Sequence, residues 1–150
     1  MSISILLVPL AVAAAGAVTA ATRGKGASGQ IVCQVQTRMR DEQLLVSALE
    51  ATGAVVTAGP AGLAAGWDQV RAAFQRDEHG VWSAHFTGAD EDRALELVAA
   101  VDVAYGRAVQ QAVLRRLLDR APACGMRLES ETTAADASVQ LVFAVEGGAA

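Results

Sequence analysis

The chain has 150 residues and a mass of 15.4 kDa, room for one ordinary domain, and its 53% hydrophobic content excludes a disordered polymer. A net charge of −4 and an isoelectric point near 5.1 exclude a strongly basic nucleic-acid binder. Cys33 and Cys124, with His79 and His85, are too few and too scattered for a disulfide framework or a four-ligand zinc site. No cofactor is expected.

The stretch from Ser2 to Thr22, SISILLVPLAVAAAGAVTAAT, holds no charged side chain. As a helix it would span about 30 Å, the hydrocarbon thickness of a bilayer. Three uses compete. A cleaved secretory signal would have a basic residue before its apolar core, and none is present, although small residues near Ala21 suit a cleavage site. A buried helix would need a small domain to surround it on every side. A single-pass membrane anchor needs only the length, and it is the expectation for residues 1–22. Arg23 and Lys25 follow the run and no basic residue precedes it, so the positive-inside rule places the C-terminal part in the cytoplasm.

Residues 23–29 read as a Gly/Ser-containing tether. They are not a phosphate-binding loop, because Gly26 stands where Ser or Thr must follow Lys25. A globular domain is expected over 30–146 and a flexible tail over 147–150. Its first strand is marked by Ile31, Cys33 and Val35 alternating with Gln34 and Gln36. Asp41 offers an N-cap for a helix with Leu44, Leu45, Ala48 and Leu49 on one face and Gly53 as its stop. Ala54 to Thr57 form a second strand, and Ala58 to Gly66, AGPAGLAAG, a loop. Asp68 to Phe74 and Val81 to Thr87 form a hairpin across the turn Asp77-Glu78-His79-Gly80, with Trp82, Ala84 and Phe86 inward.

A long helix follows from about Glu91 to Ala121, ended by Pro122 and Gly125, with Gly106 a weak point in its middle. Two strands close the chain, Met126 to Thr132 and Ser138 to Val145. The order β-α-β-β-β-α-β-β predicts an α+β fold: a two-layer sandwich of a mainly antiparallel sheet with two helices on one face, preceded by a hydrophobic N-terminal helix. Gln34, Gln36, Gln69, Arg71, Ser83, His85, Arg127 and Glu129 would face water.

These residues carry a resemblance. Asp41, Leu45, Ala48, Leu49 and Gly53 fit D-x-x-x-L-x-x-A-L-x-x-x-G; Asp68, Val70 and Phe74 fit D-x-V-x-x-x-F, followed by Gly80. Tyr105 lies in the long helix, Gly125, Met126, Leu128 and Glu131 fit G-[FM]-x-[LV]-x-x-E, and Ser138 to Val142 form the last strand. Over about residues 30–145 the chain resembles the Ycf35 family, small proteins of bacteria and plastid genomes described as a domain of unknown function. That family brings no established catalytic residues, so the resemblance assigns none here, and the apolar N-terminal run lies outside its usual pattern.

Candidate chemistry is sparse. His85 on a strand and His79 in a turn read as surface histidines, since no partner acid or nucleophile is placed beside either. Asp90, Glu91 and Asp92 resemble a cation cluster, but acidic groups at a helix start complement its dipole. Glu129 and Glu131 could share a strand face as paired acids, and a solvated face explains them equally. Arg107, Arg115, Arg116 and Arg120 are the candidate interaction patch, for anionic lipid or an acidic partner, against the alternative of cations favoured by a helix C-terminus. The expectation is a membrane-tethered, non-enzymatic domain that binds an unidentified protein, held to the membrane by residues 2–22 and without nucleic acid. The alternatives are a small ligand-binding domain or enzyme with a pocket under the Gly59–Gly66 loop, and a secreted domain released by signal cleavage.

Overall fold

The structure, a computed structural model, describes residues 2–7, 22–25 and 31–145. In chain order the elements are β1 (Ser2–Leu7), β2 (Thr22–Lys25), β3 (Ile31–Gln36), α1 (Glu42–Ala51), β4 (Val55–Gly59) and β5 (Gly62–Trp67), followed by β6 (Val70–Arg76), β7 (Trp82–Thr87), α2 (Glu91–Arg120), β8 (Met126–Thr133) and β9 (Val139–Val145). The fold is α+β, with two α-helices and two antiparallel sheets among the described residues. The chain divides into two compact units, Ala14–Tyr105 on one side and Met1–Ala13 with Gly106–Ala150 on the other.

The larger unit is built on a six-stranded sheet in the order β2-β3-β7-β6-β5-β4. Alternation decides its faces. Cys33 and Val35 of β3, Ala72 and Phe74 of β6, and Trp82, Ala84 and Phe86 of β7 are all buried, as strands half-exposed to water require. Against them pack Leu45, Ala48 and Leu49 of α1 and Ala94, Leu97, Val98 and Val101 of α2, at helical spacing. Asp41 caps α1 by accepting a hydrogen bond from the Leu44 amide at 3.0 Å, and Gly53 ends the helix in left-handed backbone at φ 84°. Trp67 stacks on Phe86 at 6.3 Å between ring centroids, and Phe74 meets Phe86 edge-on at 6.5 Å.

The smaller unit holds the three-stranded sheet β1-β9-β8. Val139, Leu141 and Phe143 point one way from β9 and pack with Ala121 and the half-buried Leu114, Leu117 and Leu118 of α2. Gly125, at φ 66°, closes the 3-10 turn Pro122–Cys124 and redirects the chain into β8.

Four expectations change. The two-layer sandwich on one sheet is replaced by two sheets, because β8 and β9 pair with β1 and not with the central strands. The segment Ala58 to Gly66 is not a loop. It holds the end of β4, a turn on Pro60-Ala61 and β5, which pairs back on the strand expected at Ala54 to Thr57, with Leu63, Ala65 and Trp67 alternating inward. The next strand starts at Val70 and not at Asp68, because Asp68 occupies left-handed backbone, φ 43°, in a tight turn. Ser83 does not face water: it is 7% exposed and its hydroxyl donates to the Gln75 carbonyl at 3.3 Å.

The N-terminal expectations meet the described residues in two places. Ser2–Leu7, the start of the apolar run, is a strand paired antiparallel with β9 from Ser2↔Ala144 to Leu7↔Val139. Thr22–Lys25, placed at the anchor's end and in the tether, is a strand paired with β3. The rest of the anchor, the remainder of the tether and the tail 147–150 lie outside the described residues. No helix among the described residues is long and apolar enough to cross a membrane.

Candidate interaction surface on the second half of α2

Residues 114–121, at the end of α2, present Leu114, Leu117, Leu118 and Ala121 to the small sheet, and Arg115, Arg116 and Arg120 lie on the exposed sides of the helix. At about 100° per residue, Leu114, Leu117, Leu118 and Ala121 cover an arc whose centre lies opposite the mean direction of Arg115, Arg116 and Arg120. Arg116 and Arg120 stand about 40° apart, and Arg115 about 100° from Arg116. Arg107 points about 180° from Arg116, so it is not part of the same face. All four side chains are exposed, and none makes an ion pair among the described residues. Asp119 lies in the same turn, also exposed. The candidate patch is therefore three arginines on the outward face of the helix, with Arg107 two turns away.

The recess predicted near Gly59–Gly66 exists in another form. The β4–β5 hairpin and β6 enclose an open, almost wholly apolar hollow of about 220 Å³. Thr57, Gly59, Gly62, Ala64, Ala73 and Gln75 contribute to its lining. No ionisable side chain among the described residues borders it. A second hollow of about 260 Å³ lies in the smaller unit between the end of α2, β8 and β9, lined by Leu118, Met126, Leu128 and Phe143 with Arg127 at its rim.

The titratable residues are dispersed. His85 is half-buried with Nε2 3.5 Å from Ser83 Oγ. The pair is not a nucleophile and base: the Ser83 hydroxyl already donates to the Gln75 carbonyl, and no carboxylate among the described residues orients the ring. His79 is exposed, 3.7 Å from the Glu78 carboxylate. Asp90 is a helix cap, accepting from the Arg93 amide at 2.8 Å. Glu129 and Glu131 are separated by a bulge: the β8–β9 register slips between Leu128 and Ser130, leaving Glu129 unpaired while Glu131 falls opposite Leu141. Among the described residues, no three His, Cys, Asp or Glu side chains are grouped so as to hold a metal ion. Cys33 is buried and Cys124 exposed.

Several contacts have no local signal in the sequence. Arg76 stacks its guanidinium 4.7 Å above the Trp82 ring, and the Trp82 indole N–H is buried without a hydrogen-bond partner among the described residues. Thr37 Oγ1 donates to the Trp82 carbonyl, and the Trp82 amide donates to the Met39 carbonyl at 2.9 Å. Tyr105 Oη accepts from the Asp41 amide at 3.0 Å, fixing the start of α1.

No protein-family profile, no curated protein and no solved structure matches the chain.

Proposed function

We propose that the protein is a non-enzymatic α+β domain of the Ycf35-like type that binds an acidic protein partner through Arg115, Arg116 and Arg120. One observation carries this reading: three exposed guanidinium groups on one helix face, without ion pairs among the described residues, in a chain of net charge −4. Counting Asp119 beside them, the three arginines leave this face net positive, and such a face on an acidic chain favours an anionic partner there. Arg127 and Arg107 lie outside the proposed face. The test replaces Arg115, Arg116 and Arg120 with Gln and captures partners from lysate at low and high salt. The proposal expects the triple variant to stay folded and to lose an acidic partner that wild type releases at high salt. An unchanged partner set sinks it, and binding to anionic liposomes in place of protein moves the assignment to the membrane surface.

The membrane tether is part of the same proposal, and one observation favours a competing use of its residues. Without Ser2–Leu7, the uncharged residues 8–21 would reach about 21 Å as a helix, short of the roughly 30 Å of a bilayer core. A spanning helix and β1 therefore exclude each other, and the six-residue register with β9 favours the untethered alternative. Carbonate-resistant membrane association of the full chain supports the tether. Release into the supernatant supports β1.

A further inference from the structure

We infer that β4 is a self-complementary docking edge through which two copies of this chain join their six-stranded sheets. Among the described residues β4 ends its sheet and pairs only with β5. The residues Val55 to Gly59, VVTAG, carry no charge and no proline, and all but Val56 are exposed. Val55 is 76% exposed, more than any other large apolar side chain among the described residues. Edge strands are normally guarded by charges, prolines or bulges. The edge strand β8 of the other sheet is guarded in that way, with Arg127, Glu129 and Glu131 and a bulge at Glu129. β4 has none of these.

The register says which partner fits. Gly59 and Gly62 flank a two-residue turn, so they form a hydrogen-bonded pair, and the alternation of an antiparallel ladder makes Thr57↔Ala64 and Val55↔Gly66 the next two. The N–H and C=O groups of Val56 and Ala58 then point to the open side. No hydrogen bond from outside the ladder reaches them among the described residues. A second antiparallel β4, related by a two-fold axis at Thr57, places Val56 opposite Ala58 of the second copy and satisfies all these groups in both chains at once.

Side chains follow the same symmetry. Thr57 meets Thr57 of the second copy, a favourable cross-strand pair, and no like charges oppose each other. Val55 falls opposite Gly59 of the second copy. Beside that glycine lie Gly62, Ala64 and Ala73, the small residues that line the apolar hollow of about 220 Å³. The exposed valine and the hollow are thus a knob and a hole placed for one another by the two-fold axis. The proposed edge is separate from the arginine face, so it stands or falls independently of that reading. Five-residue strands make a small interface, and a dissociation constant on the order of tens of micromolar is expected.

The test is register-specific. In a Cys124→Ser background, Thr57→Cys places two thiols across a non-hydrogen-bonded pair, about 4.5 Å between Cα atoms and within disulfide reach. Val55→Cys, two residues away on the same face, would meet Gly59. Mild oxidation by copper phenanthroline and dioxygen should cross-link the full-length Thr57→Cys chain into dimers and leave Val55→Cys monomeric. Sedimentation should show a concentration-dependent wild-type dimer that Thr57→Lys weakens at least ten-fold, with an unchanged circular dichroism spectrum. A wild-type monomer at several hundred micromolar, equal cross-linking of both cysteine variants, or a dimer unaffected by Thr57→Lys overturns the inference.

Discussion

Arg38 grips Asp102 through two parallel hydrogen bonds, Nε to Oδ1 at 2.9 Å and Nη2 to Oδ2 at 2.8 Å. The pair joins the corner between β3 and α1 to the first half of α2. One turn along the helix, Tyr105 Oη accepts from the Asp41 amide, the amide of the very residue that caps α1. The corner is therefore held at two successive positions of α2. Bidentate geometry makes this stronger than a typical surface ion pair, although Arg38 keeps a side-chain exposure of 33%. Asp102→Ala should cost about 1–2 kcal/mol of stability, and Tyr105→Phe about 1 kcal/mol. Denaturant titration checks both. A loss under a few tenths of a kcal/mol for Asp102→Ala would mean that the pair is solvated and contributes nothing.

The inward and outward sides of β7 should separate sharply under mutation. Trp82 and Phe86 are buried, while His85 between them is half-buried on the other face. Phe86→Ala and Trp82→Ala should each cost about 3–5 kcal/mol, and His85→Ala under about 1 kcal/mol. Thermal melts of the three variants decide it. Comparable losses at all three positions would shift the strand's register by one residue.

What could be read from the sequence divides along physical lines. α1 was legible because its cap, its buried Leu45, Ala48 and Leu49 and its Gly53 stop all agree. β7 was legible because Trp82, Ala84 and Phe86 alternate. The first strand of the β4–β5 hairpin was legible in Val55, Val56 and Thr57, but β5 was hidden because it is written largely in Gly and Ala, which are depleted in strands. Its inward Leu63 and Trp67 were the available signal. Two sheets were taken for one because alternation reports the face of a strand and not its neighbour. Ser2–Leu7 carries no period that separates a strand from the start of an apolar helix, so its pairing with β9 had no signal in the sequence. The arginines of α2 were legible as residues, but the separation of Arg107 from the other three needed the helix's buried side to be known.

Two glycines in positive-φ backbone make predictions of different size. Gly62 has φ 129°, and a Cβ there would sit 2.1 Å from the Phe74 carbonyl oxygen. Gly53 has φ 84° but open space around it. Gly62→Ala must therefore force β5 and β6 apart, costing on the order of 3 kcal/mol or more. Gly53→Ala meets only the backbone penalty of left-handed geometry, about 1–2 kcal/mol. Equal melting temperatures for the two variants would contradict the close approach of β5 to β6.

The turn at Asp77 supplies a pH dependence. Its carboxylate accepts from the Val81 amide at 2.9 Å and the His79 amide at 2.8 Å, and these bonds, Val81 first, hold its pKa below the ordinary carboxylate value. A carboxylate whose folded pKa is depressed binds fewer protons when folded than when unfolded. Its contribution is complete above the unfolded value of about 4 and is lost as pH falls through the lower folded value. Asp77→Asn should therefore be less stable than wild type at pH 7, with the gap narrowing as pH falls below the ordinary carboxylate value of about 4. Asp136 behaves alike, held down first by the Ser138 hydroxyl and then by the Ser138 amide, so Asp77→Asn leaves part of the acid sensitivity in place. Melting curves of wild type and Asp77→Asn between pH 2 and 7 provide the measurement. A stability gap that stays constant across that range would show that the turn is held by its backbone bonds, Asp77 amide to Val81 carbonyl and Gly80 amide to Asp77 carbonyl, and not by the carboxylate charge.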